Sequence, residues 1–182
     1  MIIFGIDPGS DRTGYGCVDT DGSRHRLVLC GAIKTTASAT FPEKLLVIHS
    51  RLTTLLSECR PDAVAIENVF FSVNVRSALK LGHARGVAML AAVEAGVPIA
   101  EYSPAEIKRS VVGYGRAEKP QVQQMIKLIL GLAEVPSPHD AADALAVAVC
   151  HIHSMPPRSV AGAVAAAPRT KKAATSWRQY RP

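Results

Sequence analysis

The order of strand-like and helix-like segments limits the possible fold more than any other feature of this sequence. Apolar stretches bounded by turn residues predict strands at 1–7, 13–20, 26–36, 62–67 and 97–102. Apolar residues at helical spacing predict helices at 42–59, 74–96, 104–112, 117–132 and 137–153. Three strands in succession, followed by strands that alternate with helices, predict an α/β domain whose mixed sheet is flanked by helices.

The bulk properties indicate one cytoplasmic domain followed by a basic tail. The 182 residues suggest a single domain at 1–154, and 48% hydrophobic residues supply its core. The sequence contains no apolar run of membrane-spanning length, and "MIIFGID" lacks the basic start of a secretory signal. Four scattered cysteines without a C-x-x-C pair are typical of reduced, mostly buried thiols.

The net charge of +6 belongs to the tail and not to the domain. Residues 155–182 contain no acid and six bases: Arg158, Arg169, Lys171, Lys172, Arg178 and Arg181. A segment of this composition is predicted to be disordered. It either contacts nucleic acid nonspecifically or only aids solubility, and the domain needs a local basic stripe if it binds DNA.

The predicted helix at 74–96 is apolar on almost all sides after its first turns. Such a helix must be covered on several sides. The sheet can cover one side, and either the other helices of the domain or a second subunit can cover the rest. Its small residues permit close approach, which makes a dimer plausible.

Two aspartates in "HDAADALAVAV" (139–149) contrast with the apolar residues around them. Asp140 follows Ser137-Pro138, which predicts a helix start with Ser137 as N-cap, so Asp140 can be a capping acid. Asp143 lies one turn deeper, where an unpaired carboxylate is costly. The sequence therefore predicts a positive partner for Asp143, either a side chain or a metal ion.

Two further acids end apolar strands, Asp7 after "MIIFGI" and Glu67 after "AVAI". Ligand and catalytic groups of α/β sheets commonly lie beyond strand ends, although Asp7 can also simply begin a turn. If the last helix crosses that edge, four carboxylates meet there and raise one another's pKa. Two Mg²⁺ ions, or Mn²⁺, suit an oxygen-only ligand set and phosphodiester hydrolysis.

Basic and aromatic residues near these acids suggest a nucleic-acid surface. Phe70 and Phe71 follow Glu67, and an exposed Phe there could stack on bases. Candidate phosphate contacts are Arg76 and Lys80, which share one helical face with His83, and Lys108, Arg109, Arg116 and Lys119 around a Gly-Tyr-Gly loop. Each patch can equally be a solvated face.

The sequence closely resembles the RuvC-type Holliday-junction resolvases. The similarity lies in "GIDPGSDRTGYG" (5–16), "AIENVFFSVNVRSALKLGHARGVA" (65–88), "VVGYGRAEKPQVQQMI" (111–126) and "HDAADALAVAV", and it leaves out the tail. The resemblance implies a ribonuclease-H-like five-stranded sheet and a homodimer. It also implies Mg²⁺-dependent symmetric nicking of four-way DNA junctions in recombination and repair, together with a branch-migration helicase and its junction-binding partner.

The resemblance also assigns roles to residues. The family's four catalytic and metal-binding acids match Asp7, Glu67, Asp140 and Asp143, although some members have His where this chain has Asp140. Its junction-centre aromatic matches Phe70, and its functional lysines match Lys108 and Lys119.

Three alternatives compete with this interpretation. "GIDPGS" also resembles a phosphate-binding turn of actin-like ATPases, but 182 residues are too few for the two domains they need. Another ribonuclease-H-like nuclease is possible. A binding-only junction protein is disfavoured, because acids near phosphates weaken DNA binding.

Overall fold

Five strands form one mixed sheet in the order β3-β2-β1-β4-β5. The computed structural model describes residues 1–68 and 74–156, and the predictions for Phe70, Phe71 and almost all of the tail lie outside this part. The strands are β1 (Ile2–Asp7), β2 (Arg12–Thr20), β3 (His25–Lys34), β4 (Ala63–Glu67) and β5 (Ile99–Tyr102). β1, β2 and β3 pair antiparallel, whereas β4 and β5 run parallel to β1. The predicted mixed sheet is confirmed, with strand ends that differ by one or two residues.

The five predicted helices are also present, and four of them differ from the prediction by one to three residues at one or both ends. They are α1 (Phe41–Cys59), α2 (Val75–Glu94), α3 (Pro104–Val112), α4 (Lys119–Ile129) and α5 (His139–Ser154). The predicted N-cap at Ser137 is wrong, because Pro138 holds that position and its carbonyl accepts from the Ala141 amide. Pro138 is itself extended, with a φ of −71° and a ψ of 173°, so helical backbone begins only at His139. α4 is shorter than predicted, with Glu118 as its N-cap and Gly131 at a φ of 62° beyond its end.

The helices cover both faces of the sheet. α5 packs on the face that carries Ile3, Val18 and Ala65, and α1 and α2 pack on the opposite face. The glycines of β1 and β2 let α5 approach closely: a Cβ on Gly5 would lie 2.0 Å from the carbonyl oxygen of Ala144, and one on Gly14 would lie 2.0 Å from that of Asp140. This close packing explains why α5 is built from small residues.

Within residues 1–68 and 74–156, α2 is covered on one side only. Its buried residues are Ala84, Ala88, Ala91 and Ala92. Large apolar side chains on its other side are at least half exposed, namely Val75, Leu79, Leu90 and Val93. The described helices therefore leave this apolar side of α2 exposed to solvent.

Two further expectations can be compared with the described residues. All four cysteines are free thiols, and Cys17 and Cys150 are buried. Among residues 1–68 and 74–156, no helix combines the length and the apolar character needed to cross a bilayer.

Candidate active site

Two acids lie side by side because neighbouring parallel strands end together. Ile6 of β1 pairs with Ile66 of β4, and the next residue of each strand is an acid, Asp7 or Glu67. Both strands are apolar and buried up to that point. The sheet register therefore places two carboxylates at one edge, as the sequence predicted.

Side chains from α2, α3, α4 and α5 complete a cavity at this edge. The cavity has a volume of about 280 Å³, and its polar lining residues are Asp7, Glu67, Asp143, Lys108 and Lys119. The Lys119 Nζ atom lies 2.9 Å from Oδ2 of Asp143. The positive partner predicted for Asp143 is thus a lysine from α4.

Burial and mutual repulsion govern the ionisation of the acids. Burial, followed by the proximity of Glu67 and Asp143, raises the pKa of Asp7 to about 8. Burial also raises the pKa of Glu67, which accepts a hydrogen bond from the Asp7 carboxyl. The hydrogen bond to Asp143 raises the pKa of Lys119. Without added cations, the site therefore stores one proton between Asp7 and Glu67 and keeps Lys119 charged.

Asp140 lies apart from the other three acids. It is not among the residues that line the cavity in the described part of the chain. Its Oδ2 lies 3.8 Å from Nη1 of Arg12, and its side chain is 29% exposed against 16% for Asp143. The two acids of α5 therefore face different cations, and the structure brings three of the four predicted acids together.

The donor set suits hard divalent cations. Asp7, Glu67 and Asp143 offer only carboxylate oxygens, the ligands preferred by Mg²⁺ and Mn²⁺. Within residues 1–68 and 74–156, no three His, Cys, Asp or Glu side chains stand in positions that would hold an ion. In this arrangement the Asp7 proton and the Lys119 ammonium already pair with the carboxylates. A divalent cation that displaces the proton and the ammonium would balance the negative charge of the buried carboxylates.

The predicted basic residues surround the cavity at different depths. Lys108 is half-buried in its lining, whereas Arg116 is exposed in the loop between α3 and α4. Arg76 and Lys80 are exposed on α2, with Lys80 Nζ 5.8 Å from the centroid of the Phe41 ring.

Two residues near the start of α5 and β2 add to this picture. His139, the first residue of α5, is exposed, and its Nδ1 lies 3.0 Å from Nε2 of Gln123. Arg12 was missed in the sequence, although a basic residue at the strand start after the Asp7 turn was a usable signal.

The fold and this acid site define a nuclease of the ribonuclease-H-like class. The family model described as "Crossover junction endodeoxyribonuclease RuvC" matches residues 3–151. The chain belongs to this family, whose nucleases are metal-dependent. The resemblance inferred from the sequence motifs is thereby confirmed.

Named relatives and solved structures agree with this assignment. The crossover junction endodeoxyribonuclease RuvC of Ruminiclostridium cellulolyticum is 54% identical over 154 residues, which are 85% of this chain and 93% of that protein. Its counterpart from Trichlorobacter lovleyi is 50% identical over 182 residues, all of both chains, so the similarity extends into the tail that the motifs left out.

Two similar solved structures are of Thermus thermophilus RuvC. One has 40% identity and a TM-score of 0.78, covering 84% of this chain and 94% of that one. The other is a complex with a Holliday junction substrate. It has 41% identity and a TM-score of 0.79, and the match covers 83% of this chain and 92% of that one. The ribonuclease-H-like fold expected from the resemblance is confirmed.

Proposed function

We propose that this protein resolves four-way DNA junctions by hydrolysing two opposed strands with a divalent-metal site built on Asp7, Glu67, Asp140 and Asp143. The observation that carries the proposal is the meeting of Asp7, Glu67 and Asp143 in one cavity at the ends of adjacent parallel strands. Membership of the crossover junction endodeoxyribonuclease family supports the reaction, and the Thermus relative has been solved in complex with a Holliday junction substrate.

The carboxylates would hold the metal. Asp7, Glu67 and Asp143 face the cavity, and Asp140 would join them from the first turn of α5. When bound, two Mg²⁺ ions, or Mn²⁺, supply the Lewis acidity for phosphodiester hydrolysis that leaves a 5′ phosphate and a 3′ hydroxyl. The protein itself holds the carboxylate oxygens at fixed positions. For these oxygens to bind metal, Asp7 must lose its proton and the Lys119 ammonium must move away from Asp143.

The basic residues around the cavity would position the DNA backbone. Lys108 and Lys119 line the cavity, and Arg116 lies in the neighbouring loop. Arg76 and Lys80 would contact phosphates from α2, where both are exposed. Lys119, once displaced from Asp143, is free to bind a phosphate next to the cut strand. Phe70 and Phe71 remain sequence-based candidates for the junction centre.

A homodimer would place two such sites on a two-fold junction. The exposed apolar side of α2 supports this assembly, because Leu79 and Leu90 flank a groove that also contains Gly82 and Gly86. We further propose, on family grounds, a branch-migration helicase and its junction-binding protein as partners in the cytoplasm. The nuclease domain would comprise residues 1–154, with 155–182 as a separate basic tail.

Cleavage of a mobile four-way junction in Mg²⁺ tests this proposal. Linear duplex is the substrate control, and Asp143→Asn is compared with Glu134→Gln, which changes an exposed acid outside the cavity. We expect paired nicks in the junction alone, lost in Asp143→Asn and retained in Glu134→Gln. Asp143→Asn removes a negative charge that repels the DNA phosphates. The variant should therefore bind the junction at least as tightly as the unchanged protein.

The competing functions give different results. Junction binding by the unchanged protein without cutting, in Mg²⁺ and in Mn²⁺, would indicate a binding module. Equal cutting of duplex or RNA would indicate another nuclease of the ribonuclease-H-like class.

A further inference from the structure

Two basic side chains stand directly opposite each other where β2 begins and β3 ends. Arg12 and Lys34 are paired residues in the antiparallel register, and both are exposed. Directly opposed residues project from the same face of the sheet, where like charges destabilise the strand pair. The fold alone therefore gains nothing from this arrangement.

Neighbouring acids do not neutralise the pair. Among the described residues Arg12 has one ion-pair partner, Asp140, at 3.8 Å, and its side chain remains 58% exposed. Lys34 forms no hydrogen bond or ion pair with any residue of 1–68 or 74–156. Asp11, the adjacent acid, already accepts from Lys44 at 2.5 Å. Positive charge is thus left facing solvent.

The location of the pair connects it to the active site. The backbone of Gly14 lies against the Asp140 carbonyl, so the start of β2 lies next to the first turn of α5. Lys108, Arg116 and Lys119 belong to α3, α4 and their connecting loop. β3 and β5 are the two edge strands of the sheet. Arg12 and Lys34 therefore lie on the β3 side of the acids. The sequence analysis placed no candidate DNA contact on this side.

We propose that Arg12 and Lys34 form a phosphate clamp that binds the DNA backbone on the β2–β3 side of the acid cavity. This inference rests on the proposed function and extends its DNA surface. The planar guanidinium of Arg12 suits two phosphate oxygens, and it lies 3.8 Å from Asp140 at the margin of the acid site. Lys34 adds a point charge that binds a phosphate without a fixed angle. The clamp contacts only the DNA backbone and therefore recognises no base sequence. Its role is to position the strand relative to the acids.

Salt titrations of DNA binding test the clamp. Binding of the full-length protein to a fluorescent four-way junction and to a linear duplex is measured in EDTA, so that cutting does not interfere. The variants are Arg12→Gln, Lys34→Gln and the double variant. Arg26→Gln is the matched control, because it removes an exposed cation near the opposite end of β3. Thermal melts verify that each variant folds, and Lys34→Gln should melt no lower than the unchanged protein.

The expected result is a shallower salt dependence together with several-fold weaker binding. Each lost phosphate contact should lower the slope of log K against log salt by about 0.9, so the double variant should lose about twice as much as either single one. Arg26→Gln should leave the slope unchanged. Equal slopes in the variants and the unchanged protein, or an equal decrease in Arg26→Gln, would overturn the clamp.

The two DNA arms separate this inference from the proposed function. If the unchanged protein binds duplex as well as junction and the slopes still fall, the clamp holds and junction selectivity fails. If the junction is bound selectively with unaltered slopes, the junction selectivity of the proposed function holds and the clamp fails. If neither DNA is bound, both fail.

Discussion

The ammonium group of Lys119 lies 2.9 Å from a carboxylate oxygen of Asp143, inside a cavity that also contains Asp7 and Glu67. A cation from α4 thus partly balances three acids from two strands and α5. This ion pair accounts for the stability of an acid cluster that would otherwise repel itself.

Replacing Lys119 with glutamine should destabilise the metal-free protein. Three acids would then lack their nearest cation, and we expect the free energy of unfolding in EDTA to fall by up to about 1 kcal/mol. Added Mg²⁺ should narrow the difference, because the ion supplies the missing charge. Thermal melts with and without Mg²⁺ measure both effects. Lys127→Gln, on the same helix, is the control, and a Mg²⁺-independent loss equal in both variants would contradict the prediction.

The metal-free protein should lose stability as the pH rises from about 4 to about 8. Folding raises the pKa of Asp7 from 3.8 to about 8, so the folded state binds a proton that the unfolded state has released. That contribution is complete below the lower pKa and is lost as the pH passes the upper one. Urea unfolding in EDTA at about pH 6 and about pH 9 measures the change.

Asp7→Asn provides the control for this pH dependence. Its amide cannot ionise, so the decrease between the two pH values should become smaller than in the unchanged protein. Identical pH slopes in the two proteins would show that Asp7 does not hold the proton.

Adding a methyl group to Gly14 should impair both the stability of the fold and the cleavage of DNA. The new Cβ would lie 2.0 Å from the Asp140 carbonyl, which forces the first turn of α5 away from the sheet. We expect Gly14→Ala to cost about 1–3 kcal/mol of unfolding free energy and to slow junction cleavage about 100-fold, because the acids of α5 move with the helix.

Gly31→Ala is a suitable comparison for Gly14→Ala. Its added methyl would meet the ring end of Tyr15, a side chain that can move, and not the backbone of α5. Cleavage should therefore change much less. Equal cleavage losses in the two variants would contradict a specific effect on the acids.

A charge in the groove of α2 should weaken the proposed dimer. Leu90 is 50% exposed in the protomer, and an aspartate there would be buried by a second copy. We expect Leu90→Asp to raise the dimer dissociation constant at least about tenfold and to abolish paired nicks. Sedimentation equilibrium measures the first effect. Leu128→Asp is the control, because Leu128 lies on α4 and is 69% exposed. This variant should remain dimeric. A dimer unaffected by Leu90→Asp would exclude this groove as the interface.

The sequence predicted the parts of the site that depend on strand ends. Asp7 and Glu67 each follow an apolar run, and the parallel pairing of β1 with β4 follows from the order of elements. The need for a positive partner near Asp143 also followed from its apolar surroundings.

What the sequence could not predict depends on packing between distant elements. Spacing alone put Asp140 and Asp143 on one face, but the start of β2 brings Arg12 to Asp140 while α4 brings Lys119 to Asp143. The choice between these cations depends on how closely Gly14 lets α5 approach the sheet, which no local pattern encodes.

The first strand supplies Asp7 and the last helix supplies Asp143. A growing polypeptide that has emerged only as far as α4 therefore has two of the three cavity acids and lacks the third. Under the proposed function, hydrolysis therefore requires that α5, the last described helix, has packed against β1.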